Sequence, residues 1–136
     1  MNLVLVDSSV WVDYFRGVET MATAALDVLL GRHEAVVGDL VLMEVLQGYR
    51  STREMRAAEA ALGQLDCFDL AGNARARKAA ANYRHLRSVG VTPRSTIDVL
   101  IASFCAEEDI RLLADDREFV LMAPHLGLAM HEVRAN

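Results

Sequence analysis

Short apolar runs alternate along the chain with stretches whose apolar residues recur at helical spacing. Each run is short enough for a strand, and turn or capping residues bound it. Strands are predicted at residues 3–6, 35–37, 67–70, 111–114 and 128–133. Helices are predicted over residues 10–15, 22–30, 39–47, 52–65, 73–88 and 95–105, with a short one starting at residues 115–116. Strands that alternate with helices are typical of a parallel α/β sheet covered on both faces.

The same pattern predicts one continuous domain over residues 1–136. The sequence contains no internal repeat, low-complexity tract or linker, and 136 residues is an ordinary size for one domain. No apolar run reaches the roughly 18 residues that a transmembrane helix needs, and the N-terminus lacks the basic start of a signal peptide. We therefore expect a protein with no membrane association.

Capping residues stand at several predicted helix starts. Ser51 lies three residues before Glu54, which is the spacing of a capping box, and Asp39 is expected to cap the helix that follows it. Cys67 and Cys105 lie in apolar surroundings without metal-binding spacing, so both are expected to be buried, reduced thiols of a cytosolic protein.

The charges are unevenly distributed. The formal net charge is −5, which argues against binding nucleic acid by bulk charge. Residues 1–46 hold 2 basic and 7 acidic groups, residues 47–94 hold 9 and 4, and residues 95–136 hold 3 and 8. A basic middle between acidic ends fits an anionic ligand held next to cations, although a solvated helical surface has the same pattern.

Four carboxylates lie at informative positions. Asp7 ends the first predicted strand and Asp116 closely follows the fourth, so both are expected at the carboxyl edge of the sheet, where such folds bind ligands. Asp98 lies at the edge of an apolar helical stripe, and Glu44 lies in a helix that is apolar almost all round.

Each of these acids has a plain structural alternative. Asp7 could simply be the N-cap of the next helix, although Ser8 or Ser9 could cap it instead, and Asp98 stands at capping-box spacing from Ser95. Asp115 has the same spacing to Glu118, which would leave Asp116 free for other work. A solvent-facing polar strip would account for Glu44.

If the four carboxylates converge, their mutual repulsion requires a positive partner. The chain has one lysine, Lys78, whereas a hard divalent cation binds carboxylates and water readily. A magnesium ion with water ligands orients phosphate oxygens and activates water for attack. No nucleotide-binding glycine loop is present, so the pattern favours metal-dependent phosphodiester chemistry.

Four segments in order resemble the motifs of PIN-domain ribonucleases, specifically the VapC-type toxins of bacterial toxin–antitoxin pairs. They are residues 6–12 (VDSSVWV), 44–48 (EVLQG), 94–102 (RSTIDVLIA) and 112–119 (LLADDREF). The resemblance covers nearly the whole chain. It implies a PIN-like three-layer α/β/α sandwich with a central parallel sheet.

The resemblance also implies site residues. Asp7, Glu44, Asp98 and Asp116 would form a catalytic acidic quartet, with Asp7, Asp98 and Asp116 as ligands of Mg²⁺ or, alternatively, Mn²⁺. Ser9 would support the site. Asp115 stands where the family often has a neutral or basic residue and is therefore an alternative to Asp116, which keeps the spacing to the residues that follow.

The implied activity is cleavage of structured RNA in the cytoplasm, with a cognate antitoxin as inhibitor. We predict that Arg50, Arg53 and Arg94 contact the RNA backbone. The alanine-rich faces at residues 57–61 and 79–81 predict a homodimer and a toxin–antitoxin hetero-oligomer. The competing interpretations are a non-catalytic PIN-fold module that binds RNA or protein, and an α/β domain whose acids are only helix caps.

Overall fold

The computed structural model describes residues 2–133, in which four strands and seven helices follow one another. The strands are β1 (Val4–Val6), β2 (Ala35–Gly38), β3 (Cys67–Phe68) and β4 (Arg111–Leu113). The helices are α1 (Ser8–Phe15), α2 (Met21–Gly31), α3 (Asp39–Gln47), α4 (Thr52–Leu62), α5 (Asn73–Ser88), α6 (Thr96–Glu108) and α7 (Arg117–Leu126).

The strands form one parallel sheet in the order β3-β2-β1-β4. Leu5 in β1 lies opposite Val36 on one side and Leu112 on the other. The chain adds β2 and β3 on one side of β1 and then crosses to add β4 on its other side. The order of the strands therefore reverses between β1 and β4, which is where open parallel sheets bind ligands.

The helices form two packed groups. Helices α1 to α4 contact one another in the pairs α1–α2, α1–α3 and α3–α4, whereas α5, α6 and α7 contact one another in all three pairs. The residues of β1 are completely buried, and Trp11, Phe119 and Met122 are among the large side chains that fill the interior. These features confirm the predicted three-layer α/β/α arrangement around a parallel sheet.

The structure corrects several local predictions. Residues 128–133 contribute a single bridge, between Met130 and Leu112, and do not form a strand. Gly38 precedes α3 as its N-cap, whereas Asp39 lies in the first turn and accepts a hydrogen bond from the backbone of Leu70 at 3.0 Å. Within residues 2–133, no helix combines the length and apolar character needed to cross a bilayer.

The prediction for the cysteines is half right. Cys105 is buried in α6, but Cys67 is exposed. Cys67 belongs to a strand of only two residues at the edge of the sheet, where a single neighbouring strand covers it. An apolar sequence context therefore did not predict burial at this edge.

Candidate metal centre

The first acid of the site lies where β1 passes into α1. Asp7 is 4% exposed and is the N-cap of α1, and its backbone N–H donates to the carbonyl of Leu113 in β4 at 2.9 Å. This bond fixes Asp7 at the junction of the two strands. Asp7 is therefore a helix cap, as one interpretation of the sequence predicted, but capping uses only one of the two oxygens of its carboxylate.

The two oxygens of the Asp7 carboxylate have different environments. Oδ2 accepts hydrogen bonds from the backbone N–H of Ser9 at 3.2 Å and from its hydroxyl at 2.7 Å. Oδ1 is buried and has no hydrogen-bond partner. Burial raises the pKa of Asp7, and the hydrogen bonds from Ser9 lower it in part. An unpaired buried carboxylate oxygen is costly, so Oδ1 is a candidate to bind a cation.

Ser9 connects the two segments that carry the site. Its Oγ donates to Asp7 and accepts from the backbone N–H of Asp115 at 3.0 Å, across 106 positions of sequence. The loop after β4 is therefore tied to the start of α1. This contact gives Ser9 and Asp115 defined positions beside the acids, with Asp115 contributing its backbone in that bond.

Three further acids meet beside this junction. One carboxylate oxygen from each of Asp98, Asp116 and Glu118 lies within 4.8 Å of the other two. Asp98 comes from the first turn of α6, and the other two come from the start of α7. We call these three residues the acid triad. Together with Asp7 they bring α1, α6 and α7 to one edge of the sheet.

Asp98 experiences the crowding of charge most strongly. Burial is the main cause that raises its pKa to about 7, far above the usual range of an aspartate. The charges of four other carboxylates raise it further; in decreasing order they belong to Asp7, Asp116, Glu44 and Glu118. Asp7, Glu44 and Asp116, three of the acids predicted from the sequence, therefore act electrostatically on the fourth, Asp98.

Glu44 approaches this centre from α3. It is half-buried, and its Oε1 is buried without a hydrogen-bond partner. Burial raises the pKa of Glu44, and the charge of Asp7 raises it further. A solvent-facing polar strip therefore accounts for Glu44 only in part, because one of its oxygens is enclosed.

The sequence predictions missed two features of the acid triad. The sequence spacing indicates Glu118 only as a capping partner of Asp115, whereas in the structure its carboxylate belongs to the triad. Asp116, which was expected to be free, is itself the N-cap of α7 and accepts from the backbone N–H of Glu118 at 3.0 Å. The spacing of two acids two residues apart directly after a strand was the signal that could have identified Glu118.

The predicted basic residues lie in different places. Arg94 precedes α6 and pairs with Glu118, with its Nε 3.7 Å from Oε1. Arg50 and Arg53 are exposed around the start of α4. Within residues 2–133, the other ion pairs join Arg75 to Glu107 and Glu108, away from the acid triad.

The residues of the centre fit a divalent cation better than any protein cation. The acid triad supplies three oxygens within 4.8 Å, and Asp7 adds a buried oxygen that no protein group satisfies. Oxygen-only donors with room for water are what Mg²⁺ and Mn²⁺ prefer. A bound ion would also relieve the repulsion that raises the pKa of Asp98.

A second candidate surface lies along α1, α3 and α4. It is a groove of about 730 Å³, with apolar walls that include Val12, Phe15 and Val45. Arg16, Arg50 and Glu54 supply its charged lining. The groove therefore combines apolar and charged surface, as protein-binding sites do.

Acidic side chains thus lie together at the edge of a parallel sheet, at the point where the order of the strands reverses. This combination of fold and site identifies the class of this protein. The chain belongs to the PIN domain family, whose model matches residues 4–123. It is similar to Ribonuclease VapC11 of Mycobacterium tuberculosis (strain H37Rv), with 29% identity over 123 residues that cover 89% of this chain and 92% of the relative. This similarity agrees with the resemblance to VapC-type ribonucleases that the four motifs predicted.

Solved structures share the fold over nearly the whole chain. The DNA-bound VapBC of Salmonella typhimurium matches with a TM-score of 0.77 at 15% identity, covering 98% of this chain and all of that one. Mycobacterium tuberculosis VapC20, described as a sarcin–ricin loop cleaving toxin, matches with a TM-score of 0.63 at 17% identity, covering 86% and 92%.

Proposed function

We propose that this protein is a magnesium-dependent endoribonuclease toxin of a toxin–antitoxin pair, acting in the cytoplasm. The observation that carries the proposal is the acid triad of Asp98, Asp116 and Glu118 beside the unsatisfied, buried Oδ1 of Asp7. Helix caps require no such convergence of charge. The curated relative VapC11 is named a ribonuclease, which supports the same activity.

Asp7, Asp98 and Asp116 are the proposed metal ligands, with Glu44 and Glu118 completing the acidic surroundings. Bound Mg²⁺, or Mn²⁺ in its place, would supply a water of lowered pKa and neutralise charge on the scissile phosphate. The protein's own part is to hold the oxygens in place. Ser9 fixes the Asp7 carboxylate at 2.7 Å and ties it to the loop that leads to Asp116.

Structured RNA is the proposed substrate. VapC20, which shares the fold, is described as cleaving the sarcin–ricin loop. In this chain Arg50, Arg53 and Arg94 are exposed and belong to the basic middle of the sequence. Contacts from these arginines to phosphates would hold RNA beside an otherwise acidic protein.

A protein antitoxin is the proposed partner, and the protein is proposed to act as a homodimer that joins it in a hetero-oligomer. The DNA-bound VapBC structure of Salmonella typhimurium shares the fold. The groove along α1, α3 and α4 offers apolar walls for an amphipathic segment. Of the alanine-rich segments predicted to be interfaces, residues 57, 60, 61, 80 and 81 are exposed, which leaves them available for contact.

The test is cleavage of RNA by the purified protein with Mg²⁺, with EDTA, and after Asp98→Asn. We expect 5′ ends at defined positions in Mg²⁺ and none in EDTA or with the variant. Glu107→Gln is the matched control, because it removes a carboxylate from the other end of α6 and should cleave like wild type. Cleavage that survives EDTA would contradict the proposal, and magnesium binding without cleavage would favour a non-catalytic binding module.

A further inference from the structure

Arg94 contacts the acid triad through two different groups. Its backbone N–H donates to Oε1 of Glu118 at 3.2 Å, and the Nε of its side chain lies 3.7 Å from the same oxygen. Arg94 stands one residue before Ser95, the N-cap of the helix that carries Asp98. Arg94 therefore contacts one acid of the triad, Glu118, and directly precedes the helix that carries a second, Asp98.

The two contacts differ in how firmly they are held. The Glu118 side chain is 23% exposed, whereas the Arg94 side chain is 93% exposed. An ion pair with so exposed a partner contributes little to stability and is readily exchanged. The backbone contact holds Glu118 whatever the guanidinium does, so the side chain of Arg94 is free to leave.

A guanidinium on Glu118 and a divalent cation in the acid triad compete for the same negative charge. Within residues 2–133, Arg94 is the basic residue whose ion pair reaches this triad. A guanidinium also binds phosphate oxygens in a bidentate manner. An anionic backbone that enters beside the triad would therefore offer Arg94 a second partner as soon as a cation occupies the first.

We propose that Arg94 is a positioning residue that exchanges partners: it neutralises Glu118 in the metal-free protein and transfers to a backbone phosphate of the RNA when a divalent cation binds. The inference rests on the proposed function, because it requires both a cation in the acid triad and an RNA substrate. It assigns Arg94 opposite effects on the two ligands. Arg94 weakens binding of the cation and strengthens binding of the RNA.

The test measures both affinities on the full chain for wild type, Arg94→Ala and Arg94→Lys. Mn²⁺ alone is titrated calorimetrically at about pH 8, above the pKa of about 7 of Asp98. RNA binding is measured in saturating Mn²⁺ by fluorescence anisotropy, with a phosphorothioate RNA oligonucleotide that keeps its charge and resists cleavage. Arg84→Ala is the control, because it removes the same charge from an exposed position on α5.

For Arg94→Ala we expect Mn²⁺ to bind about threefold to tenfold more tightly and RNA to bind about tenfold more weakly. The slope of log affinity for RNA against log salt should become shallower by about one. Arg94→Lys should restore most of both effects, and Arg84→Ala should change the Mn²⁺ affinity less than twofold, since it pairs with none of these acids.

The outcomes separate this inference from the proposed function. Wild-type protein that binds no Mn²⁺ would overturn both. Wild-type protein that binds Mn²⁺, with Arg94→Ala equal to Arg84→Ala for both ligands, would overturn the exchange alone. Weaker binding of both Mn²⁺ and RNA by Arg94→Ala would also overturn it, because a structural role for Arg94 predicts losses in the same direction.

Discussion

The carboxylates at the two ends of helix α6 have opposite electrostatic surroundings. At its C-terminal end Glu107 and Glu108 pair with Arg75, at 3.8 and 2.7 Å, and the guanidinium of Arg75 also lies 4.8 Å from the centre of the Phe104 ring. At its N-terminal end Asp98 lies among other acids. Within residues 2–133, the guanidinium that pairs with one of them, that of Arg94 with Glu118, is almost fully exposed.

The helix dipole alone predicts the reverse. It favours an acid at the N-terminus and disfavours acids at the C-terminus, so Asp98 should ionise easily and Glu107 and Glu108 should be strained. Instead, burial and neighbouring carboxylates raise the pKa of Asp98 to about 7. The fold therefore pairs Glu107 and Glu108 with a basic side chain at one end of α6, and leaves Asp98 among acids at the end where we propose that a metal ion binds.

The largest effect should come from neutralising the buried acid. Asp7→Asn removes a charge whose Oδ1 has no partner, so RNA cleavage in Mg²⁺ should fall by about 10²-fold or more, with no loss of thermal stability in EDTA. Glu107→Gln, the matched change at the other end of α6, should leave cleavage unchanged. An Asp7→Asn variant with wild-type cleavage would remove the functional difference between the two ends.

The next largest effect concerns how the stability of the protein depends on pH. Because the pKa of Asp98 is raised to about 7 in the folded protein, the folded state retains a proton that the unfolded state has lost. Without divalent cation, the free energy of unfolding should fall as the pH rises from about 4 to about 7, and Mg²⁺ should reverse part of the fall. Urea unfolding of wild type and Asp98→Asn across this range measures it, and the variant should lose much of the slope. Equal slopes would contradict the assignment to Asp98.

A smaller effect is expected at the C-terminal end of α6, where the acids are paired with Arg75. Arg75→Ala leaves Glu107 and Glu108 without their partner and removes the packing of Arg75 on Phe104, which should cost about 1–2 kcal/mol of stability while cleavage remains intact. Thermal unfolding and RNA cleavage of the same sample measure the two quantities. A large loss of cleavage at unchanged stability would mean that this end also serves the site.

The smallest predicted effect concerns the link between the two halves of the site. Ser9→Ala removes the hydroxyl that donates to Asp7 and accepts from the backbone of Asp115, which should cost about 1 kcal/mol of stability. Cleavage should fall by about tenfold, since Asp7 loses the stronger of its two bonds from Ser9. Ser9→Thr keeps the hydroxyl and is the control; equal behaviour of the two variants would contradict a role for the bond.

The sequence predicted the sheet and its helices well because local patterns determined them. The helix over residues 73–88 matches α5 in full, and Ser51 and Ser95 cap the helices that they precede. Residues 128–133 look like a strand in sequence but pair at one position only, because strand pairing depends on neighbours far along the chain.

Part of the candidate site could also be predicted from local patterns in the sequence. The positions of Asp7 and Asp98 follow from strand ends and an apolar stripe, which are local features. The membership of Glu118 in the acid triad depends on how α7 lies against α6, and the ion pair with Arg94 depends on a loop that no pattern describes. The sequence therefore indicated the candidate acids, and the packing of the helices determines which of them lie together.

We propose above all that Asp7, Asp98 and Asp116 bind a divalent cation beside Glu118. Anomalous diffraction from a crystal soaked in Mn²⁺ tests it most directly. We expect a peak with oxygens of Asp98 and Asp116 at about 2.2 Å, close enough to Asp7 for its Oδ1 to bind the ion or one of its waters. A saturated crystal with no peak at this edge of the sheet, or with Mn²⁺ only beside Glu107 and Glu108, would contradict it.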